Sequence, residues 1–280
     1  MAFKYSVTLS SFRNLESIEQ TLVRLKEQGY DAVEMFGEPE QTNLRDLRET
    51  FASHDLPVCG ITGMWGRASK DWQNRKLLST DPHIVNHSEN YVRKCIEMCQ
   101  YLGGNEINVC LFADDGRVFD ANHGVLSDDQ KKSTIEKAIP ILSSLVRFAS
   151  DHDVDLLIEP LNRYSTPHCT AARDAMYIAH RINQDNLGLL LDTFHMNIEE
   201  SSFEQAIMDS KDFLRHTHFS DNNRAMPGGA HLDFTSIVKT LNRIGYGKYV
   251  SFEPNLANAD YKSATLDGLK FIRALENSTF

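Results

Sequence analysis

Four residues in the second half of the chain each stand at the end of an apolar run: Glu159 in DLLIEP, Asp192 in LGLLLD, His218 in FLRHTHFS and Glu253 in YVSFEP. Carboxylates crowded together repel one another and are driven toward protonation unless a cation neutralises them. Three acids and one imidazole, with no thiolate among them, form a donor set suited to one divalent metal ion: Mn2+ first, with Mg2+, Co2+ or Zn2+ also acceptable. Taken singly, each acid could equally be an N-cap for a following helix. Ligand-type side chains at the ends of four successive runs point to a metal instead. Two further groups stand near these four. His195 follows Asp192 by three residues, and Arg224 lies in the turn-rich HFSDNNRAMPGG that follows His218. Beside a metal with open positions, an Arg and a His would orient the hydroxyl or carbonyl oxygens of a substrate.

The elements that must position these groups follow from periodicity. Short apolar runs at 4–9, 31–36, 57–62, 106–111, 155–160, 187–192, 213–220 and 249–254 read as strands. Amphipathic stretches at about 16–28, 42–54, 83–102, 129–150, 170–182, 202–210, 234–244 and 264–276 read as helices, several ended by glycine as at Gly29, Gly103 and Gly245. Nearly continuous apolar strands, each followed by a helix, imply a parallel sheet covered on its outer face, and eight such units close into a (β/α)8 TIM barrel. A doubly wound open sheet would normally carry a glycine-rich phosphate loop after its first strand, and TLSSFRN has none. No linker-like shift interrupts the pattern, so residues 1–280 read as one α/β barrel domain.

Active sites of such barrels lie at the C-terminal ends of the strands, which is where the four candidate ligands fall. The longer connections at 63–82 and 112–128 could cover that mouth. Trp65, in the first of them, could stack on a substrate. Glu34, at the end of the second strand, could reach the pocket from the far side. His216 points the same way as His218 but one layer deeper, and Asn108 and Asn162 are candidate hydrogen-bonding groups.

Composition narrows the class. With 41% apolar and 24% charged residues the chain has material for a large core, which excludes a disordered or fibrous protein. A net charge of −10 offers no electrostatic footprint for nucleic acid or anionic membrane. No apolar run is long enough to span a bilayer, and MAFKYSVTLSSFRN lacks the apolar region of a signal peptide, so no membrane partner and a cytoplasmic location are expected. The five cysteines are scattered and form no C-x-x-C pair, which argues against a disulfide framework.

The segments IEPLNRYST (158–166), LLLDTFHMN (189–197), RHTHFSDNNRAMPGGAHLDF (215–234) and VSFEPN (250–255) resemble the sugar phosphate isomerase/epimerase family of xylose-isomerase-like TIM barrels. They look most like the D-tagatose and D-psicose (ketose) 3-epimerases. The resemblance implies that Glu159, Asp192, His218 and Glu253 hold one divalent metal, and that Glu159 and Glu253 are the acid/base pair. It implies that His195 and Arg224 hold the substrate. The reaction implied is proton transfer at the carbon next to the carbonyl of a small sugar or polyol ketone, through a metal-bound cis-enediolate. Ser165 departs from the pattern, since these epimerases usually carry a glutamate six residues after the first metal glutamate. The segment TPHCTAARDAMYIAHRI (166–182) resembles the inosose isomerase branch, so inosose isomerase, inosose dehydratase and hydroxypyruvate isomerase are alternatives on the same site. A metal hydrolase of the endonuclease IV type is a remote one. A homo-oligomer, dimer or tetramer, is implied by analogy.

Overall fold

Every apolar run singled out above becomes a strand in a computed structural model of the chain, which describes residues 2–114, 126–256 and 260–278. The strands are β1 (Lys4–Val7), β2 (Val33–Phe36), β3 (Val58–Thr62), β4 (Glu106–Val109), β5 (Asp155–Ile158), β6 (Leu187–Asp192), β7 (Leu214–Phe219) and β8 (Tyr249–Phe252). They pair in parallel in the order β1-β8-β7-β6-β5-β4-β3-β2. A bridge between Thr8 and Glu34, with the Asp31 N–H donating to the Tyr5 carbonyl at 2.8 Å, brings the open edges of β1 and β2 together into a barrel. Most strands end a residue or two earlier than the apolar runs, because the last residues of each run already leave the ladder to form the mouth.

The helices are α1 (Ile18–Gln28), α2 (Leu44–His54), α3 (Pro82–Leu102), α4 (Asp128–Ser150), α5 (Ala172–Ile182), α6 (Thr193–Glu199), α7 (Phe203–Asp209), α8 (Phe234–Arg243) and α9 (Tyr261–Ser278). Local chemistry sets their ends. The Ser17 hydroxyl accepts from the Gln20 N–H while the Gln20 side chain accepts from the Ser17 N–H, and Gly29 ends the same helix at φ 92°. One α-helix, α6, is absent from the expectation above. It runs for only seven residues, too few to show a repeating apolar face. The expectation for 112–128 falls partly on 115–125, outside the described residues.

Register places the candidate site. In β6 and β7, Asp192 stands opposite His218, and His218 in turn stands opposite Ser251 of β8, two residues before Glu253. Alternate residues of a strand share a face, so His216 and His218 point the same way, into the barrel. The connection after β3 is pinned from beneath: Arg75 Nη2 lies 3.0 Å from Glu38 Oε2, and the Ala68 N–H donates to Glu38 Oε1 at 2.7 Å. On the opposite side of the chain, Glu276 of α9 accepts from the Phe3 N–H at 2.7 Å and the Tyr5 hydroxyl at 2.6 Å, tying the last helix to the first strand. No helix among the described residues is long and apolar enough to cross a membrane.

Candidate active site

Glu159 follows β5 directly, Asp192 closes β6, His218 lies near the end of β7, and Glu253 follows β8. One donor atom from each lies within 4.8 Å of every other. Glu159, Asp192 and His218 are buried, while Glu253 keeps 19% of its side chain open to the cavity above. His218 decides whether the cluster fits a cation. Its Nε2 faces Glu34 Oε2 at 3.1 Å and donates to that carboxylate. The remaining nitrogen, Nδ1, is buried without a hydrogen-bond partner and lies 3.7 Å from Glu159 Oε1 and 3.6 Å from Glu253 Oε2. Burial opposes the charged ring, but Glu34 and Glu253 outweigh it and hold the ring's pKa well above its ordinary value. An imidazole nitrogen facing carboxylate oxygens, its proton displaced, is the donor arrangement that a divalent cation takes. The four residues fit one.

The two glutamates are driven apart in acidity. Burial, with the charges of Glu253 and Asp192 added and His218 opposing, raises Glu159 to about 7. For Glu253 burial acts upward too, but His218 and Arg224 outweigh it and bring the carboxyl down to about 2. Glu159 is further held by Asn108 Nδ2 at 2.5 Å and the Cys110 thiol at 3.2 Å, both on its Oε2. Asp192 serves two purposes: its Oδ1 caps α6 by accepting from the Phe194 N–H at 2.8 Å, which leaves Oδ2 for the cluster. The capping role weighed against the metal role for such acids is therefore not exclusive of it.

Arg224 and His195 converge on the same carboxylates. Arg224 sits at φ 62°, a left-handed conformation that turns its side chain back over the mouth. Asp221 builds that turn: its carboxylate accepts the N–H groups of Asn222, Ala230, His231 and Leu232 at 2.9–3.0 Å. Arg224 Nη1 then reaches Asp192 Oδ2 and Glu253 Oε2, each at 2.8 Å, and its guanidinium lies over the Phe194 ring. His195 Nδ1 accepts from the Asn162 backbone N–H at 3.0 Å, so its proton is on Nε2. Burial pushes the ring down to about 4, so it is neutral at ordinary pH. Its Nε2–H and the Arg224 Nη2–H stand 3.2 Å apart. Both groups stand beside Asp192 Oδ2, which is 3.6 Å from His195 Nε2, and two donors side by side suit one substrate oxygen.

Glu34 differs from the expectation that it reaches the pocket as a substrate group. It is 3% exposed and lies beneath the cluster, where Oε1 meets His216 Nε2 at 2.7 Å and Oε2 meets His218. The reason is barrel closure: the interior face of β2 carries Glu34 under β7, below the mouth. His216 is sandwiched by a second acid, Glu106 of β4, whose Oε1 lies 2.6 Å from Nδ1. Burial opposes the charged ring, but the two glutamates prevail and raise it to about 9. Trp65, half-buried, meets Phe112 edge to face at 5.3 Å and lines a cavity that also exposes Arg224 and Glu253. His231 is exposed, and Asp233 caps α8.

Residues 22–275 match the model of the xylose isomerase-like TIM barrels. The chain belongs to this family. Among its xylose isomerase-like relatives, the ketose 3-epimerase of Arthrobacter globiformis is 27% identical over 239 residues, covering 85% of this chain and 78% of that one. The 3-dehydro-D-guloside 4-epimerase of Escherichia coli K12 is 25% identical over 268 residues, covering 92% and 95%. In fold, the chain superposes on the apo 3-keto-D-glucoside 4-epimerase of E. coli with a TM-score of 0.83 at 24% identity, over 97% of this chain and 99% of that one. An L-ribulose 3-epimerase structure gives 0.83 at 22% identity, over 100% and 96%. The chain is an enzyme of the isomerase class.

Glu106 and Asp221 were not singled out in the sequence. Glu106 opens a strand on the side away from the mouth, where an acid carries no catalytic signal. Asp221 had one available: an acid followed by Asn-Asn and, further on, Pro-Gly-Gly is a turn-building pattern.

Proposed function

We propose that this isomerase inverts the stereocentre beside the carbonyl of a sugar ketone, with one divalent cation, Mn2+ first, held by Glu159, Asp192, His218 and Glu253. A cation held there would polarise the carbonyl and so acidify the neighbouring C–H. The observation that carries the reading is the buried, unpartnered Nδ1 of His218 aimed at the oxygens of Glu159 and Glu253. The chain's own groups do the rest. Glu159 and Glu253 come from strands three places apart in an eight-stranded barrel, so they flank a bound substrate from nearly opposite sides. One of the two takes the proton at a carboxylate oxygen from the tetrahedral carbon, which leaves a planar intermediate, and the other gives its own proton to the opposite face. The Nε2–H of His195 and the guanidinium of Arg224 fix the neighbouring oxygen, and Trp65 covers the mouth against water.

Glu159→Gln and Glu253→Gln, tested separately, should each retain fold and lose proton exchange by roughly 10²- to 10⁴-fold. Exchange is read by NMR as solvent deuterium entering a panel of ketohexoses, ketopentoses, inososes and hydroxypyruvate, with bound metal measured by elemental analysis. Full exchange in both variants, or a protein that takes up no divalent metal, would overturn the proposal. A second reading places the carbonyl at C3 and the inversion at C4 of a glycoside. It is favoured by the near end-to-end match with the E. coli guloside epimerase, 95% of whose length is covered.

A further inference from the structure

Two cavities among the described residues meet at the barrel mouth. One of about 460 Å3 exposes Arg224 and Glu253, the other measures about 350 Å3, and the Trp65 indole lines both. We propose that the second cavity binds a second sugar ring, so that the substrate is a keto-sugar joined through a glycosidic bond to another sugar and not a free ketose. The inference rests on the carboxylate cluster being the place of turnover and adds what is turned over.

Size comes first. Small-molecule sites run from roughly 300 to 1,000 Å3, so each cavity alone sits toward the small end and suits one ring. Together they suit two, with the glycosidic oxygen at the Trp65 partition. The walls agree. Trp65, Trp72 and Phe112 are half-buried around the second cavity and offer apolar ring surface to the C–H face of a pyranose. The edge-to-face contact with Phe112 holds Trp65 in place as the partition. Gln73 and Ser165 on the same lining offer both donors and acceptors for hydroxyl groups. Ser165 is short, which keeps that end of the cavity open.

Charge argues for a neutral ring over a phosphate. Arg75 is buried and held by Glu38 at 3.0 Å and by the Gly66 carbonyl. Arg67 lies over the Trp72 ring at 4.8 Å, and the charge of Lys76 acts on the Asp114 carboxylate. A phosphate site needs cations that converge on its oxygens, and of these three Arg75 is turned into its ion pair with Glu38 and Arg67 onto the Trp72 ring.

Trp65 and Trp72 are the chain's two tryptophans, so the emission of the intact Mn2+-loaded protein reports on this cavity directly. Titration with cellobiose and lactose, which do not react, should shift that emission at concentrations at least about tenfold below those needed for glucose. Deuterium exchange should favour glycosylated keto-sugars (lactulose, isomaltulose, 3-keto-glucosides) over fructose by about tenfold or more in kcat/KM. Trp72→Ala and Phe112→Ala should each narrow that ratio, through KM for the glycoside and not kcat. Fructose turned over as well as every glycoside would overturn the inference and leave the epimerase reading standing, and so would a preference for a hexulose phosphate. If no sugar exchanged, the epimerase reading would fall, and the titration would still decide the cavity: emission unmoved by either disaccharide would overturn it.

Discussion

Replacing Glu34 by Gln should weaken metal binding at the four-residue cluster although Glu34 is not one of the four. Glu34 accepts from two imidazoles at once, His216 on Oε1 at 2.7 Å and His218 on Oε2 at 3.1 Å, with the Thr62 hydroxyl also on Oε2 at 3.2 Å. Burial would raise this carboxyl, but the two rings outweigh it and hold it well below the usual range, so it is an acceptor at both oxygens. An amide offers one oxygen and one NH2. Whichever way the substituted amide turned, one histidine would face a donor. If that ring were His218, its proton would move to Nδ1, the nitrogen turned toward Glu159 and Glu253. If it were His216, a buried imidazolium would keep Glu106 alone. Loss of such an outer partner typically costs roughly 10- to 100-fold in metal affinity, about 1.4 to 2.7 kcal/mol. Mn2+ affinity is read by competition against a fluorescent chelator at fixed pH, with thermal melts of the metal-free proteins run alongside. A folded variant whose affinity stays within about threefold of the parent would refute the reasoning, because the His218 tautomer would then not depend on Glu34. A lower melting temperature with unchanged affinity would reduce Glu34 to a structural residue.

Other perturbations test the frame around the site. Lys131 Nζ lies 2.9 Å from Asp174 Oδ2 and 2.7 Å from Thr170 Oγ1, all buried, so Lys131→Met should cost about 3–5 kcal/mol in urea unfolding. Adding Asp174→Leu should recover part of the loss, and a single variant within about 1 kcal/mol of the parent would contradict this. At Gly188 an added Cβ would lie 2.1 Å from Arg215 Cγ and 3.0 Å from the Phe213 carbonyl oxygen. Gly188→Ala should therefore destabilise by roughly 1–3 kcal/mol, with Arg215→Ala relieving part of it in a double-mutant cycle; strict additivity would rule that contact out. All five cysteines are buried, and burial pushes their thiols up, Cys95 to about 12. A thiol reagent at pH 8 should leave the native protein unmodified and label all five after unfolding, whereas rapid labelling of the native protein would show an exposed thiol.

The alternation of apolar runs and amphipathic stretches was enough to place the strands and the longer helices, because each βα unit repeats the same local periodicities. The candidate ligands were legible for the same reason: a polar residue at the end of a buried run has the mouth as its outlet. The short helix after Asp192 was not, since seven residues carry no periodic face and the signal that starts it, the Asp192 cap, is shared with the cluster. Trp65 was legible as a loop aromatic near the mouth but not as a wall common to two cavities.

By itself, then, the sequence determined the barrel, its order of elements and the four side chains delivered to one end, all of which depend on spacing along the chain. Only the tertiary structure decided what lies beneath and beside them. Glu34 meets His218 across 184 positions of sequence, and Arg224 turns inward because Asp221 gathers four N–H groups of its loop. Contacts of that kind are made by closing the barrel and folding its loops. No local period encodes them, so the tautomer of the histidine, the orientation of the arginine and the second cavity had to be read in three dimensions.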